Sequence, residues 1–214
     1  MTRRLHDGFE LDRFIKDVAK HELTIVHLDG VHRHIEMREP GTSNRYYGLI
    51  TWPGYLCFYG DMGEYVFSRT HDMFEFFRRR SKDKPFNISW DYWAEKVQAE
   101  DKNSGVRKFS PDLFRQAVRA ATNERLYKMT LSEAKLFWQA VQDEVLNYAD
   151  DNDWEAMRAF IEFRYDGESV FHDAWEHDCR ELTYSFMWCC CAIEHAIDAF
   201  DGAGLKQVIE EAGK

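Results

Sequence analysis

Residues 46–69, YYGLITWPGYLCFYGDMGEYVFSR, decide the fold class of this chain. Tyr46–Trp52, Tyr55–Tyr59 and Glu64–Arg69 are short runs rich in aromatic and β-branched residues, and Pro53-Gly54 and Gly60-Asp61-Met62-Gly63 punctuate them. Such runs between tight turns predict antiparallel strands in a meander. Moving toward the N-terminus, Leu23–His27 and Val31–Arg38 flank Asp29-Gly30, a strong hairpin signal. The strand from Val31 to Arg38 alternates. Val31, Arg33, Ile35 and Met37 share one face, and His32, His34, Glu36 and Arg38 share the other. About five strands are expected in all. Before them, Phe9, Leu11, Phe14, Ile15 and Val18 recur at helical spacing over residues 9–20.

Moving toward the C-terminus, the pattern turns helical. Asp72 caps a predicted helix over Met73–Arg80, and Asn87 or Ser89 caps one over Trp90–Ala99. Ser110-Pro111 opens a helix to about Leu126, and the capping box Thr130-x-x-Glu133 opens another to about Tyr148. Asp153 begins a further helix to about Arg164. A last long one is expected from about Val170 to Phe200, ended by Gly202 and Gly204. The fold class is therefore α+β: an N-terminal antiparallel β-meander with flanking helices, then an all-helical acidic half. A polar stretch at residues 101–109 suggests a weak boundary, giving an α+β sheet domain over 1–108 and an acidic helical domain over 109–214, with one compact unit as the alternative.

The 214 residues carry a net charge of −10 with 15% aromatic content, which suits a chain able to bury a core. No apolar run is long enough for a membrane helix, and MTRRLHDGFELDRF has no apolar leader core. No membrane association is expected, and the protein is expected to stay in the compartment of its synthesis. The charge is uneven: residues 1–107 hold 17 Lys/Arg and 17 Asp/Glu, whereas residues 143–214 hold 5 against 18. Direct nucleic-acid binding by the acidic half is disfavoured, because phosphate contacts need cations. Cys57, Cys179 and the run Cys189-Cys190-Cys191 form no C-x-x-C spacing. The run is expected to supply small buried side chains in a helix.

The stretch from Pro40 to Lys96 resembles a group of uncharacterised proteins encoded by tailed phages and prophages. The shared residues are Thr51–Leu56 (TWPGYL), Gly60–Arg69 (GDMGEYVFSR), Asp72–Arg78 (DMFEFFR) and Ile88–Lys96 (ISWDYWAEK). The resemblance carries no known activity. It implies a phage origin, a host-cytoplasm setting and an accessory role in which action on host defence is common.

Three sets of residues are candidates for function. Asp143, Glu144, Asp150, Asp151, Asp153 and Glu155, with Trp52 as an aromatic anchor, would meet a host protein or complex with a basic surface. Carboxylates at helical spacing can imitate duplex phosphates and block a nucleic-acid channel, as a DNA mimic acting against a CRISPR- or restriction-type complex would. An ordinary solvated acidic surface reads the same way. His32, His34 and Arg69 could hold a nucleotide or other ligand, although polar residues at period two also mark a plain exposed strand face. His172, Glu176 and His177, with Glu194, His195 and Asp198 further on, suggest a bundle-type metal site if the segment is helical. No Glu-x-x-His repeat supports that site. No nucleophile-elbow, Walker, Rossmann or His-Glu-x-x-His pattern occurs, so no catalytic residue and no cofactor are assigned. A phage binding protein leads; a nucleotide- or metal-binding protein or small hydrolase is the alternative.

Overall fold

A computed structural model describes residues 4–6, 9–78, 86 and 88–212. The chain is α+β, with a six-stranded antiparallel sheet and helices concentrated toward the C-terminus. It forms two compact units: residues 1–106 with 182–214, and residues 107–181.

In the first unit, β1 (Arg4–His6) pairs with β2 (Phe9–Glu10), and α1 (Leu11–Val18) follows. The sheet then runs in chain order through β3 (Glu22–Asp29), β4 (His32–Arg38), β5 (Tyr47–Trp52), β6 (Tyr55–Gly60) and β7 (Tyr65–Ser68). Two short helices, α2 (Met73–Phe77) and α3 (Trp90–Ala94), precede the sixth strand, β8 (Val97–Ala99), which pairs with β7. The sequence predicts one strand fewer, because Trp90–Ala99 reads as helix throughout. The helix stops at Ala94 and residues 97–99 extend the sheet instead. Pro53-Gly54 is a two-residue hairpin loop joining Trp52 to its partner Tyr55, and Gly54 sits at φ +83°. That is the geometry a Pro-Gly turn supplies.

Ile35, Met37, Tyr47, Leu49, Leu56, Phe58, Tyr65 and Phe67 form the buried face of the sheet. Against it lies α7 (Tyr184–Ala212), which is buried nearly all round from Phe186 to Ile197. A helix apolar on every side must sit inside a core. Trp188 meets Tyr47 and Phe14 edge-on at centroid distances of 5.5 and 5.3 Å, and Phe186 meets Tyr65 at 5.4 Å. Cys189, Cys190 and Cys191 are wholly buried free thiols, and burial raises the pKa of all three. They fill space.

Two expectations are corrected here. The long helix begins at Tyr184, not near Val170, and continues past Gly202 and Gly204 to Ala212. It also packs with residues 1–106, so the division at 108/109 separates a core that the structure keeps together. The predicted helix end at Arg79–Arg80 and the Asn87 cap lie outside the described residues, as do Met1–Arg3, Asp7 and Gly8 of the N-terminal stretch. Asp72 does cap α2, its carboxylate accepting from the Phe74 N–H at 2.9 Å.

The second unit holds β9 (Arg107–Phe109), α4 (Pro111–Leu126), α5 (Leu131–Glu144), a 3-10 turn (Leu146–Tyr148) and α6 (Asp153–Glu162). A hairpin of β10 (Arg164–Tyr165) with β11 (Glu168–Ser169) follows, then a 3-10 turn (Ala174–Glu176) and β12 (Arg180–Leu182), which pairs with β9, so the half expected to be all-helical also contains short antiparallel strands. Its core is Phe114, Val118, Phe137, Val141, Phe160, Phe163, Val170 and Phe171 with smaller neighbours. The Ser110 cap and the Thr130/Glu133 capping box both form.

Candidate partner surface and polar sites

The six acidic residues gather where α5 hands over to α6. Asp143 and Glu144 end α5, Asp150 and Asp151 occupy the connection, and Asp153 and Glu155 lie in the first turn of α6. They form no single helical stripe. Carboxylates in a first turn are favoured by the helix dipole, which gives Asp153 and Glu155 a structural reason to be acidic. Asn152, rather than Asp153, is the cap: its side-chain oxygen accepts from the Glu155 N–H at 3.0 Å. Asp150 is held by Arg115, and Asp153 accepts from Arg180 at 3.0 Å. Asp143, Glu144 and Asp151 are exposed and make no ion pair among the described residues. The sequence reading missed the apolar part of this surface. Trp154 is 63% exposed, with the Arg158 guanidinium 4.6 Å from its ring centroid.

Trp52, the expected anchor, lies in the first unit at the β5–β6 hairpin. It is partly exposed and stacked on Tyr55 at 5.3 Å, with the rings 11° from parallel. The anchor and the carboxylates thus belong to different units.

His32, His34 and Arg69 are not brought together. Arg69 follows β7, and β5 and β6 separate β7 from β4, a gap of about 14 Å at normal strand spacing. His34 instead bonds the Tyr59 hydroxyl at 2.7 Å, and that hydroxyl donates to Glu36 at 3.0 Å. The Tyr59 ring lies over Gly48, where an added Cβ would come within 2.4 Å of it. Partial burial and the carboxylate beside it push the Tyr59 pKa up. The alternate face of β4 is therefore more than a solvated surface. It carries a hydrogen-bonded His34–Tyr59–Glu36 group.

His172, Glu176 and His177 lie on a loop around a 3-10 turn, which removes the helical spacing on which the paired-ligand idea rested. Phe171, Ala174 and Cys179 anchor this segment in the core of the second unit. Among the described residues no group of three or more His, Cys, Asp and Glu is placed to hold a metal. His195 and Glu194 sit on α7, in the other unit.

A further polar cluster was invisible in the sequence. The Tyr47 hydroxyl bonds His195 Nδ1 at 2.7 Å across 148 positions of chain. The His21 ring stacks on Tyr47, and His21 Nε2 bonds the Arg45 carbonyl at 2.9 Å. Arg45 pairs with Asp17, whose carboxylate also accepts from the Trp188 indole at 3.3 Å. Burial, helped by His21 nearby, pushes the His195 pKa down to about 4. The imidazole is neutral at ordinary pH.

Compared with known proteins, the chain matches no family model, no curated protein and no solved structure. Among the described residues, no helix is long and apolar enough to cross a membrane.

Proposed function

We propose that this protein acts by binding a partner protein with a basic surface, through the α5–α6 connection of its second unit. The observation that carries the reading is an exposed tryptophan, Trp154, set among carboxylates of which Asp143, Glu144 and Asp151 have no ion pair among the described residues. A large aromatic side chain supplies contact area at low entropic cost, and the surrounding charge selects and steers a cationic partner. Nucleic-acid-binding complexes present such cationic surfaces. With the phage resemblance of residues 40–96, the partner class proposed is a host-defence complex of CRISPR or restriction type, met in the host cytoplasm.

The test uses variants that leave the internal ion pairs of Asp150 and Asp153 intact. Wild type, Trp154→Ala and a triple Asp143→Lys/Glu144→Lys/Asp151→Lys variant are compared for capture of a defined defence complex at low and high salt. They are also compared for the plating efficiency of phage on a host carrying that system. Wild type should bind at low salt and protect phage, and both variants should lose at least tenfold in each readout. Equal capture and protection by wild type and triple variant would sink the reading.

A further inference from the structure

The second unit contains a cavity of about 570 Å³ whose walls carry opposite charges that do not meet. One wall is α4 and the residues just after it, with Arg125 and Lys128 three apart and so on one side of the chain's helical path. The other is the loop of residues 170–177, with His172, Asp173, Glu176 and His177. Phe160 and Phe171 form part of the cavity's apolar floor, their rings packed on one another and on Phe114, Phe163 and His177. Neither Arg125 nor Lys128 makes an ion pair among the described residues; Arg125 donates to the Ser169 carbonyl at 3.3 Å, and Lys128 is exposed. Both signs of charge line one space about 8 Å across, taking the volume as a cube, and the groups of Lys128, Asp173 and Glu176 are exposed and so accessible to a ligand.

A ligand that satisfies both sets of charges has an anionic group at one end and N–H donors at the other, joined by a body that can rest on the apolar floor. An α-amino acid without a long cationic side chain is too short, because its ammonium and carboxylate share one carbon. A nucleoside monophosphate has the required separation, and the cavity falls in the size range of small-molecule sites. We propose that this cavity binds a nucleoside monophosphate. Its phosphate is held by Arg125 and Lys128, its base lies against the Phe160/Phe171 side, and the exocyclic or ring N–H groups donate to Asp173 or Glu176. A cationic pair is the ordinary means of holding phosphate, and Arg does so with fixed donor geometry. This site is independent of the acidic surface proposed above.

The experiment is calorimetric titration of the full chain with AMP, GMP, CMP and UMP, with the four nucleosides and inorganic phosphate as separate arms. Fluorescence of Trp175, 64% exposed between the cavity-lining residues Ala174 and Glu176, provides a second signal in a variant whose other six tryptophans are replaced by phenylalanine. At least one nucleotide should bind, at least tenfold more tightly than its nucleoside or phosphate alone. Lys128→Glu, on an exposed side chain whose loss leaves the fold intact, should weaken it tenfold or more. Glu176→Gln together with Asp173→Asn should change the order of preference among the four bases. The proposal is overturned if no nucleotide binds at millimolar concentration, if phosphate alone binds equally well, or if Lys128→Glu binds like wild type.

Discussion

Acid should unfold the first unit through His195, and the size of the effect follows from its surroundings. An imidazole free in the unfolded chain takes up a proton near pH 6.5, whereas in the folded unit burial delays uptake to about pH 4. Above pH 6.5 neither state holds the proton, so His195 makes stability independent of pH there. Between 6.5 and 4 only the unfolded chain is protonated, and stability falls by about 1.4 kcal/mol per pH unit. By pH 4 the loss from this one group reaches about 3 kcal/mol, a large share of the stability of an ordinary domain. The assay is hydrogen exchange followed by mass spectrometry on peptides covering residues 186–197, which report the first unit alone. Wild type and His195→Gln are compared at pH 7, 6, 5 and 4 after correction for intrinsic exchange. At pH 7 the variant should be the less stable, because it loses ring packing against Phe14 and the fit to Tyr47. The gap should close by about 3 kcal/mol on descent to pH 4, since the variant has nothing to protonate there. Parallel pH profiles for the two proteins would refute the reasoning, as would a wild-type imidazole seen by NMR to titrate near 6.5.

Three further outcomes are expected. Thr130→Ala removes the hydroxyl half of the capping box at α5, in which Thr130 Oγ1 accepts from the Glu133 N–H at 3.4 Å, while the backbone N–H of residue 130 can still donate to the Glu133 carboxylate; it should cost the second unit about 1 kcal/mol in denaturant titration. Gly48→Ala should displace the Tyr59 ring, break its bonds to His34 and Glu36, and lower the thermal midpoint through a loss of about 1–3 kcal/mol. Arg33→Lys should destabilise the first unit by about 1–3 kcal/mol, measured by chemical denaturation. The wild-type guanidinium bonds both Asp72 oxygens, at 2.7 and 2.8 Å, and lies 4.6 Å from the Phe74 ring centroid, an arrangement a lysine cannot reproduce.

Local chemistry made the meander, its turns and most caps legible. Pro53-Gly54, Asp72, Ser110 and Thr130-x-x-Glu133 each act within a few residues, so their effect is written where they stand. The errors arose where tertiary packing overrides a local pattern. Residues 170–183 look helical by composition, yet they fold as a loop around a 3-10 turn that sets Phe171, Ala174 and Cys179 into the second core. The β8 strand forms because the edge of β7 offers backbone partners. The His195–Tyr47 contact and the cavity between α4 and the 170–177 loop depend on chain returns of many residues, and no spacing rule encodes them.

Assigning α7 to the first unit also changes what the net charge means. Helix α7 and its flanks take five acidic residues out of the supposed acidic domain, leaving residues 107–181 with 10 Lys/Arg and 16 Asp/Glu. Inside that unit the imbalance is sharper than before. Residues 107–142, which include α4 and most of α5, hold seven basic and three acidic side chains; residues 143–181 hold three and thirteen. The second unit is thus charge-separated along the chain rather than uniformly acidic; Lys108 and Arg115 pair with Glu181 and Asp150 across that divide, whereas Arg125 and Lys128 line the 570 Å³ cavity together with Asp173 and Glu176. Generic solubility asks only for net charge and favours mixed signs. The charges left out of those pairs include those of the two sites proposed above, the acidic one with Trp154 for a basic macromolecule and the cations Arg125 and Lys128 for a small anion. Because the two sites draw on different residues, Lys128→Glu should leave partner capture unchanged while the Asp143/Glu144/Asp151 reversal leaves nucleotide binding unchanged. Loss of both activities in either variant would mean that they are one site.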